Sequence, residues 1–348
     1  MAGSEASNEF GRASHGRLGR RWRVVLAAAA TLCACALPQA GAAQASTVTI
    51  GSVLPTTYTL TPFGQPQTLF NTTLPEKGAK LTSPVDGAIV RWRMLGVKGG
   101  PFYLRVLHPN GSGAYKATQS STAATPVGEG LQTFSTNVPI QSGDQIGIDP
   151  TNPTDEIGVA TVPGAGYAFI FPSPFNGATV APSGTENGKE IELSAEVQPA
   201  PSIDALENFS GSIAGGTVVK IKGEDLNGAS AVKFGAKPAA SFTVESENLI
   251  TATSPRSSIA GFVDVTVSTN AGTSPTVRSD RFKYEACVVP KLKGKTLKAT
   301  RKALKKANCK LGKVKGKGKV VRQNPKPRKV KLPRTKVSVK LQPAKRGA

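Results

Sequence analysis

The chain has 348 residues, with 44 Lys and Arg against 22 Asp and Glu, and the excess sits in one place: the last 63 residues hold 23 of the basic side chains and no acidic one. The 285 residues before them are close to neutral, so an anionic partner is expected at the C-terminal end. Four cysteines, two of them within the first 45 residues, leave no set of thiolate metal ligands beyond that point.

Residues 1–45 read as a secretory signal peptide. Arg20, Arg21 and Arg23 precede an uncharged run of 14 residues from Val24 to Leu37, and Ala43-Gln44-Ala45 supplies a small-residue cleavage site before Ser46. A helix needs about 20 apolar residues to cross a bilayer, so no permanent transmembrane anchor is expected. Twin-arginine export through Arg20-Arg21 and a lipid anchor on Cys35 are the minor alternatives. Cleavage leaves Cys287 and Cys309, and in an oxidising exterior an even pair reads as one disulfide.

The pattern predicts a mainly β, multidomain chain. Residues 46–198 alternate in short runs such as Ile89-Val90-Arg91-Trp92-Arg93-Met94-Leu95 and Phe102-Tyr103-Leu104-Arg105-Val106-Leu107, separated by Gly- and Pro-containing breakers, with no sustained helical period. That predicts a β-sandwich, with a jelly roll as one arrangement, long enough to bury a core.

Pro199-Ala200-Pro201 is a short linker opening residues 199–285. Gly215-Gly216-Thr217-Val218-Val219-Lys220-Ile221, Val232-Lys233-Phe234-Gly235, Ile250-Thr251-Ala252-Thr253-Ser254-Pro255, Val263-Asp264-Val265-Thr266-Val267 and Arg281-Phe282-Lys283-Tyr284 follow in order. Val263, Val265 and Val267 point one face inward, and Gly215, Gly216 and Gly235 permit turns with positive φ. The segment resembles the immunoglobulin-like IPT/TIG domain from end to end, which implies two packed sheets and a spacer or adhesion role.

Residues 286–348 run from Cys287-Val288-Val289-Pro290 through Leu297, Ala303, Leu304 and Cys309 to Val320-Val321-Arg322-Gln323-Asn324-Pro325 and the alternating Val337-Ser338-Val339-Lys340-Leu341. Thr296 is placed to cap a helix whose apolar stripe is Leu297, Thr300, Leu304 and Ala307. The segment resembles a PASTA domain, a small α+β module of extracellular regions of bacterial kinases and penicillin-binding proteins, and the resemblance implies association with the cell wall. It departs from that pattern at Pro327-Arg328 and at Arg334, where turn glycines are usual.

The candidate binding residues are Lys298, Arg301, Lys302, Lys305 and Lys306 on the helix and Lys313, Lys315, Lys317 and Lys319 beyond it. Peptidoglycan or another anionic wall polymer is the expected partner. Nucleic acid is the rival reading, but no aromatic residue follows Tyr284 to stack on bases, so none is expected. The bland alternative is a solvated charged face with no specific ligand.

No enzyme is expected, and no cofactor or metal. His108 lacks a Gly-x-Ser-x-Gly nucleophile elbow elsewhere in the chain. Asp144, Asp149, Asp155 and Glu156 form an acidic cluster without EF-hand spacing, so calcium there is the lesser reading. Trp92, Phe102, Tyr103, Tyr167, Phe169 and Phe171 are expected mostly in the core, while Tyr115, in a Gly-rich stretch, is expected to be exposed. The N-terminal sandwich is expected to meet an extracellular protein or glycan. The alternative makes it a carbohydrate-active enzyme delivered to the wall by the other two segments.

Overall fold

The computed structural model describes residues 46–55 and 57–343, so the signal-peptide reading, with Cys33 and Cys35, lies outside the described residues. The described chain is mainly β, with one short helix and four hydrophobic clusters, two of them in the N-terminal sandwich.

The N-terminal sandwich is built from β1 (Val48–Gly51), β2 (Thr68–Thr73), β3 (Gly87–Leu95), β4 (Phe102–Pro109), β5 (Tyr115–Ser120), β6 (Leu131–Ile140), β7 (Gln145–Pro150), β8 (Glu156–Ile170), β9 (Gly184–Ile191) and β10 (Leu193–Pro199). One sheet has the order β1-β10-β3-β6 and the other β5-β4-β7-β2-β8-β9, all pairs antiparallel. Without β8 and β9, the eight remaining strands have the order of a jelly roll: first, last, third and sixth in one sheet; fifth, fourth, seventh and second in the other. The β8–β9 hairpin widens the second sheet.

Between the sheets lie Ile50, Leu69, Ile89, Trp92, Met94, Phe102, Leu104, Ile148, Ile157 and Ile191, all essentially inaccessible. Trp92 and Phe134 pack with ring centroids 4.5 Å apart. A second cluster on the other face of the larger sheet gathers Phe70, Leu107, Ala117, Ala168 and Ile170 beneath the 171–183 connection, which bonds back to β5 through Ala117 N–H to Ala178 O at 2.9 Å.

The next unit comprises β11 (Ser202–Glu207), β12 (Ser210–Ser212), β13 (Val218–Glu224), β14 (Ala231–Phe234), β15 (Ser241–Ser246), β16 (Leu249–Thr253), β17 (Gly261–Thr269) and β18 (Arg281–Glu285). They form two packed sheets, β11-β13-β16-β15 and β12-β18-β17-β14. Phe282 sits at the centre, edge-on to Phe234 at 5.1 Å and to Tyr284 at 5.0 Å. Tyr284 donates its hydroxyl to Pro255 O at 2.8 Å. Gly215 has φ +78°, and a Cβ there would lie 2.7 Å from the Pro255 carbonyl carbon, so that turn needs glycine twice over.

The last unit follows with no free linker, since Ala286 belongs to the second core and Cys287 to the third. Its elements are β19 (Cys287–Val288), α1 (Leu297–Lys306), β20 (Lys310–Lys315), β21 (Lys319–Asn324), β22 (Val330–Lys331) and β23 (Lys336–Gln342). Thr296 caps α1 by accepting from Ala299 N–H, and Thr300 and Leu304 are the helix residues buried against the sheet β20-β23-β21. Cys287 and Cys309 are joined by a disulfide with a Cα separation of 4.8 Å.

Candidate anion-binding surface

On β23 the alternation that buries Val337, Val339 and Leu341 turns Ser338 and Lys340 to the face of the sheet away from α1. Register does the rest: Lys315 on β20 and Arg322 on β21 both pair with Lys340, so three cationic side chains lie side by side across three strands. Adjacent strands are about 4.8 Å apart, and like charges placed directly opposite one another destabilise a sheet. A groove of about 370 Å³ runs over them, lined by Lys313, Lys315, Arg322, Gln323, Asn324, Ser338 and Lys340.

The groove's frame is held by local bonds. Ser338 Oγ accepts from Lys313 N–H at 3.2 Å, fixing the bulge in β20. The Gln323 amide ties β21 to the incoming chain in both directions, accepting from Leu292 N–H at 2.8 Å and donating to Pro290 O at 2.9 Å. The β20–β21 turn carries Lys317 and Lys319 outward around Gly316 and Gly318, both with positive φ; a Cβ on Gly318 would stand 2.1 Å from Gln342 O.

The nine nominated basic residues therefore fall into three groups. Lys313 and Lys315 lie on the groove, Lys317 and Lys319 on the turn beside it, and Lys298, Arg301, Lys302, Lys305 and Lys306 on the solvent side of α1. All nine are exposed. Lys305 and Lys306 also complement the negative end of the helix. The sequence alone does not single out Arg322 and Lys340, because only strand pairing brings them to Lys315. Among the described residues, no Lys or Arg beyond Arg281 takes part in a salt bridge. The positive charge of the last unit thus has no acidic counter-charge among the described residues.

Candidates in the N-terminal sandwich separate into structural roles. Asp149 is buried with Arg105, whose Nε lies 3.0 Å from Asp149 Oδ2, and also accepts from Thr68 Oγ1 at 2.6 Å; burial raises the Asp149 pKa against the opposing pull of Arg105. Asp155 accepts from the backbone N–H groups of Gly100, Thr151 and Asn152, and Glu156 faces Lys98 at 3.9 Å. Asp144 caps Gln141 N–H at 2.9 Å and bonds His108 Nδ1 at 2.6 Å. Trp92, Phe102 and Tyr167 are core, Tyr103 and Phe169 half-buried, and Phe171 is exposed. Tyr115 differs from expectation: it opens β5, half-buried, with its ring centroid 4.6 Å from that of Phe70.

Residues 201–284 match the IPT/TIG domain family and residues 288–343 match the PASTA domain family, while no family matches the sandwich before them. No curated protein matches the chain. Among solved structures, the plexin A4 full extracellular region aligns with 71% of this chain at 16% identity and a TM-score of 0.23. The chain spans 19% of that plexin chain, and the likeness carries no argument here.

Proposed function

We propose that this chain is an exported, non-catalytic envelope protein that binds peptidoglycan or another anionic wall polymer through the open sheet face of its PASTA unit. An IPT/TIG unit joined to a PASTA unit fits an extracellular, envelope-associated protein, and no described helix is long and apolar enough to cross a membrane. The observation that carries the reading is the row Lys315–Lys340–Arg322. Three cations aligned across adjoining strands, with no internal counter-charge, oppose folding and favour an anion in the groove.

In this reading the IPT/TIG unit is a spacer and the jelly roll presents a surface to an extracellular protein or glycan. The non-catalytic assignment is supported by how the sandwich uses its acidic groups. The two glutamates pushed furthest toward neutral pH, Glu190 and Glu192, are fully buried, out of reach of a glycan. His108 has its aspartate, but among the described residues no hydroxyl is bonded to its Nε2.

Co-sedimentation with purified sacculi tests the proposal. The full chain is expected to pellet at physiological ionic strength, where charges interact over a Debye length of about 8 Å, and to retain part of its binding at several times that salt. Complete release at modest salt would reduce the surface to a nonspecific charged face. Tight binding to duplex DNA with none to sacculi would replace the wall with nucleic acid.

A further inference from the structure

On β18 of the IPT/TIG unit the alternation that buries Phe282 and Tyr284 turns Arg281 and Lys283 to the outer face of the sheet. The neighbouring strand β17 sets Phe262 opposite Lys283 and Asp264 opposite Arg281. Phe262 is 62% exposed, with Lys283 Nζ 5.9 Å from its ring centroid, and Arg281 Nε lies 3.3 Å from Asp264 Oδ1.

Phe209, at the corner between β11 and β12, is 58% exposed and yet held in place. Asn208 before it takes left-handed backbone, with φ of 60°, and its side-chain amide donates to Val218 O at 3.2 Å. Phe209 O accepts from Lys283 N–H at 2.7 Å. The turn that precedes β18 is fixed as well: buried Asp280 accepts from Val277 N–H at 2.8 Å, and Ser279 donates its hydroxyl to Ile203 O at 3.4 Å, while Arg278 stays exposed. Phe209, Phe262, Arg278 and Arg281 line one cleft of about 360 Å³, together with Ala205 and Leu206 of β11.

A single exposed phenylalanine is ordinary on a protein surface; two on one cleft, each carried on anchored backbone, mark an interaction site. Its charge selects the partner. Arg281 shares Asp264, and among the described residues Arg278 and Lys283 take part in no salt bridge. A guanidinium fork matches a carboxylate, and aromatic rings beside it hold an apolar side chain, the pairing of anchors that concentrates binding energy in protein interfaces. The one neutral polar side chain on the cleft, Ser279, already donates to Ile203 O, so a neutral glycan would meet few groups to bond its hydroxyls. We propose that this cleft docks an acidic segment of an extracellular protein, with an apolar side chain seated between Phe209 and Phe262 and an Asp or Glu carboxylate on Arg278 and Arg281. The IPT/TIG unit then has a partner of its own beyond spacing, independent of the wall contact made by the last unit.

The test is selection of a random-peptide display library on the full chain at physiological ionic strength, with the affinities of the enriched peptides then measured by fluorescence anisotropy. The enriched sequences are expected to place Asp or Glu beside an aromatic or aliphatic residue. Phe209→Ser/Phe262→Ser leaves every charge of the chain in place and is expected to weaken these peptides at least tenfold, which bulk attraction to the basic last unit would not do. Arg278→Gln/Arg281→Gln is expected to weaken them as much, while sacculus binding by both variants stays that of the wild type. All four side chains are exposed, and where one double variant does not fold the other decides. Peptide binding that survives in the folded variants, or enrichment of sequences without acidic residues, overturns the proposal. Loss of sacculus binding in the phenylalanine variant overturns it too, because the cleft then belongs to the wall polymer.

Discussion

Reducing the disulfide between Cys287 and Cys309 removes the cross-link while keeping both side chains and their sulfur atoms. The bridge closes a loop of 22 residues, for which the chain-entropy relation gives about 3.4 kcal/mol at 25 °C. The unit it staples has a nine-residue buried cluster that includes both cysteines, and a domain of this size has only about 3–8 kcal/mol in total. Reduction should therefore take the unit close to its unfolding midpoint. Fluorescence does not report on it, since no aromatic residue follows Tyr284, but its 23 Lys and Arg make it an ideal trypsin substrate once open. Pulse proteolysis across a urea series, with and without reductant, reads the fraction unfolded directly. The expected loss is about 3 kcal/mol in the last unit alone. A difference below about 1 kcal/mol would refute the argument that this small core depends on its staple.

Arg328 and Arg334 adopt left-handed backbone, with φ of 65° and 63°. That conformation costs a side chain about 1–2 kcal/mol, against about 0.5–1 kcal/mol of extra unfolded-state freedom for glycine. Arg328→Gly and Arg334→Gly should each stabilise the last unit by about 0.5 kcal/mol in the same proteolysis assay; destabilisation would contradict the strain assignment. Arg105→Met leaves Asp149 buried without its partner and should cost the sandwich about 3–5 kcal/mol by urea titration; a loss under about 1 kcal/mol would show the pair to be dispensable. The sandwich should lose stability as pH rises from 5 to 9. Glu190 and Glu192 have folded pKa values above their unfolded ones, so the native state holds extra protons between about 4.5 and 8, and their stabilisation, full below that window, is lost as pH rises through it. A melting temperature flat across the range, or rising with pH, would refute it.

Much of the architecture could be read from alternation and turn chemistry. Val263, Val265 and Val267 line up inward as expected, Thr296 caps α1, and Gly215, Gly216 and Gly235 all take positive φ. Arg328 and Arg334, where the PASTA pattern has turn glycines, take the left-handed backbone that glycine favours. A jelly roll was one arrangement the alternation allowed, but the strand order itself and the extra β8–β9 hairpin depend on which distant strands pair. Glu190 and Glu192 carry no sequence mark of burial, yet both are inaccessible, and Ser52, 138 positions earlier, donates to Glu190. Tyr115 sits beside Gly111 and Gly113 and reads as loop, yet Phe70, 45 positions earlier, gives its ring a packing partner. For the basic unit the charge was legible and its geometry was not, since the row at Lys340 draws one residue from each of three strands.

In the proposed function this row, and not bulk charge, makes the wall contact. The direct measurement is sacculus binding by the full chain across a salt series, comparing Lys315→Gln/Arg322→Gln/Lys340→Gln with Lys298→Gln/Lys302→Gln/Lys306→Gln, which removes the same charge from α1. Loss of salt-resistant binding in the sheet variant alone is the predicted result, together with a fold as stable as the wild type or slightly more so, because the cross-strand repulsion is gone. Equal weakening by the two variants would contradict the claim.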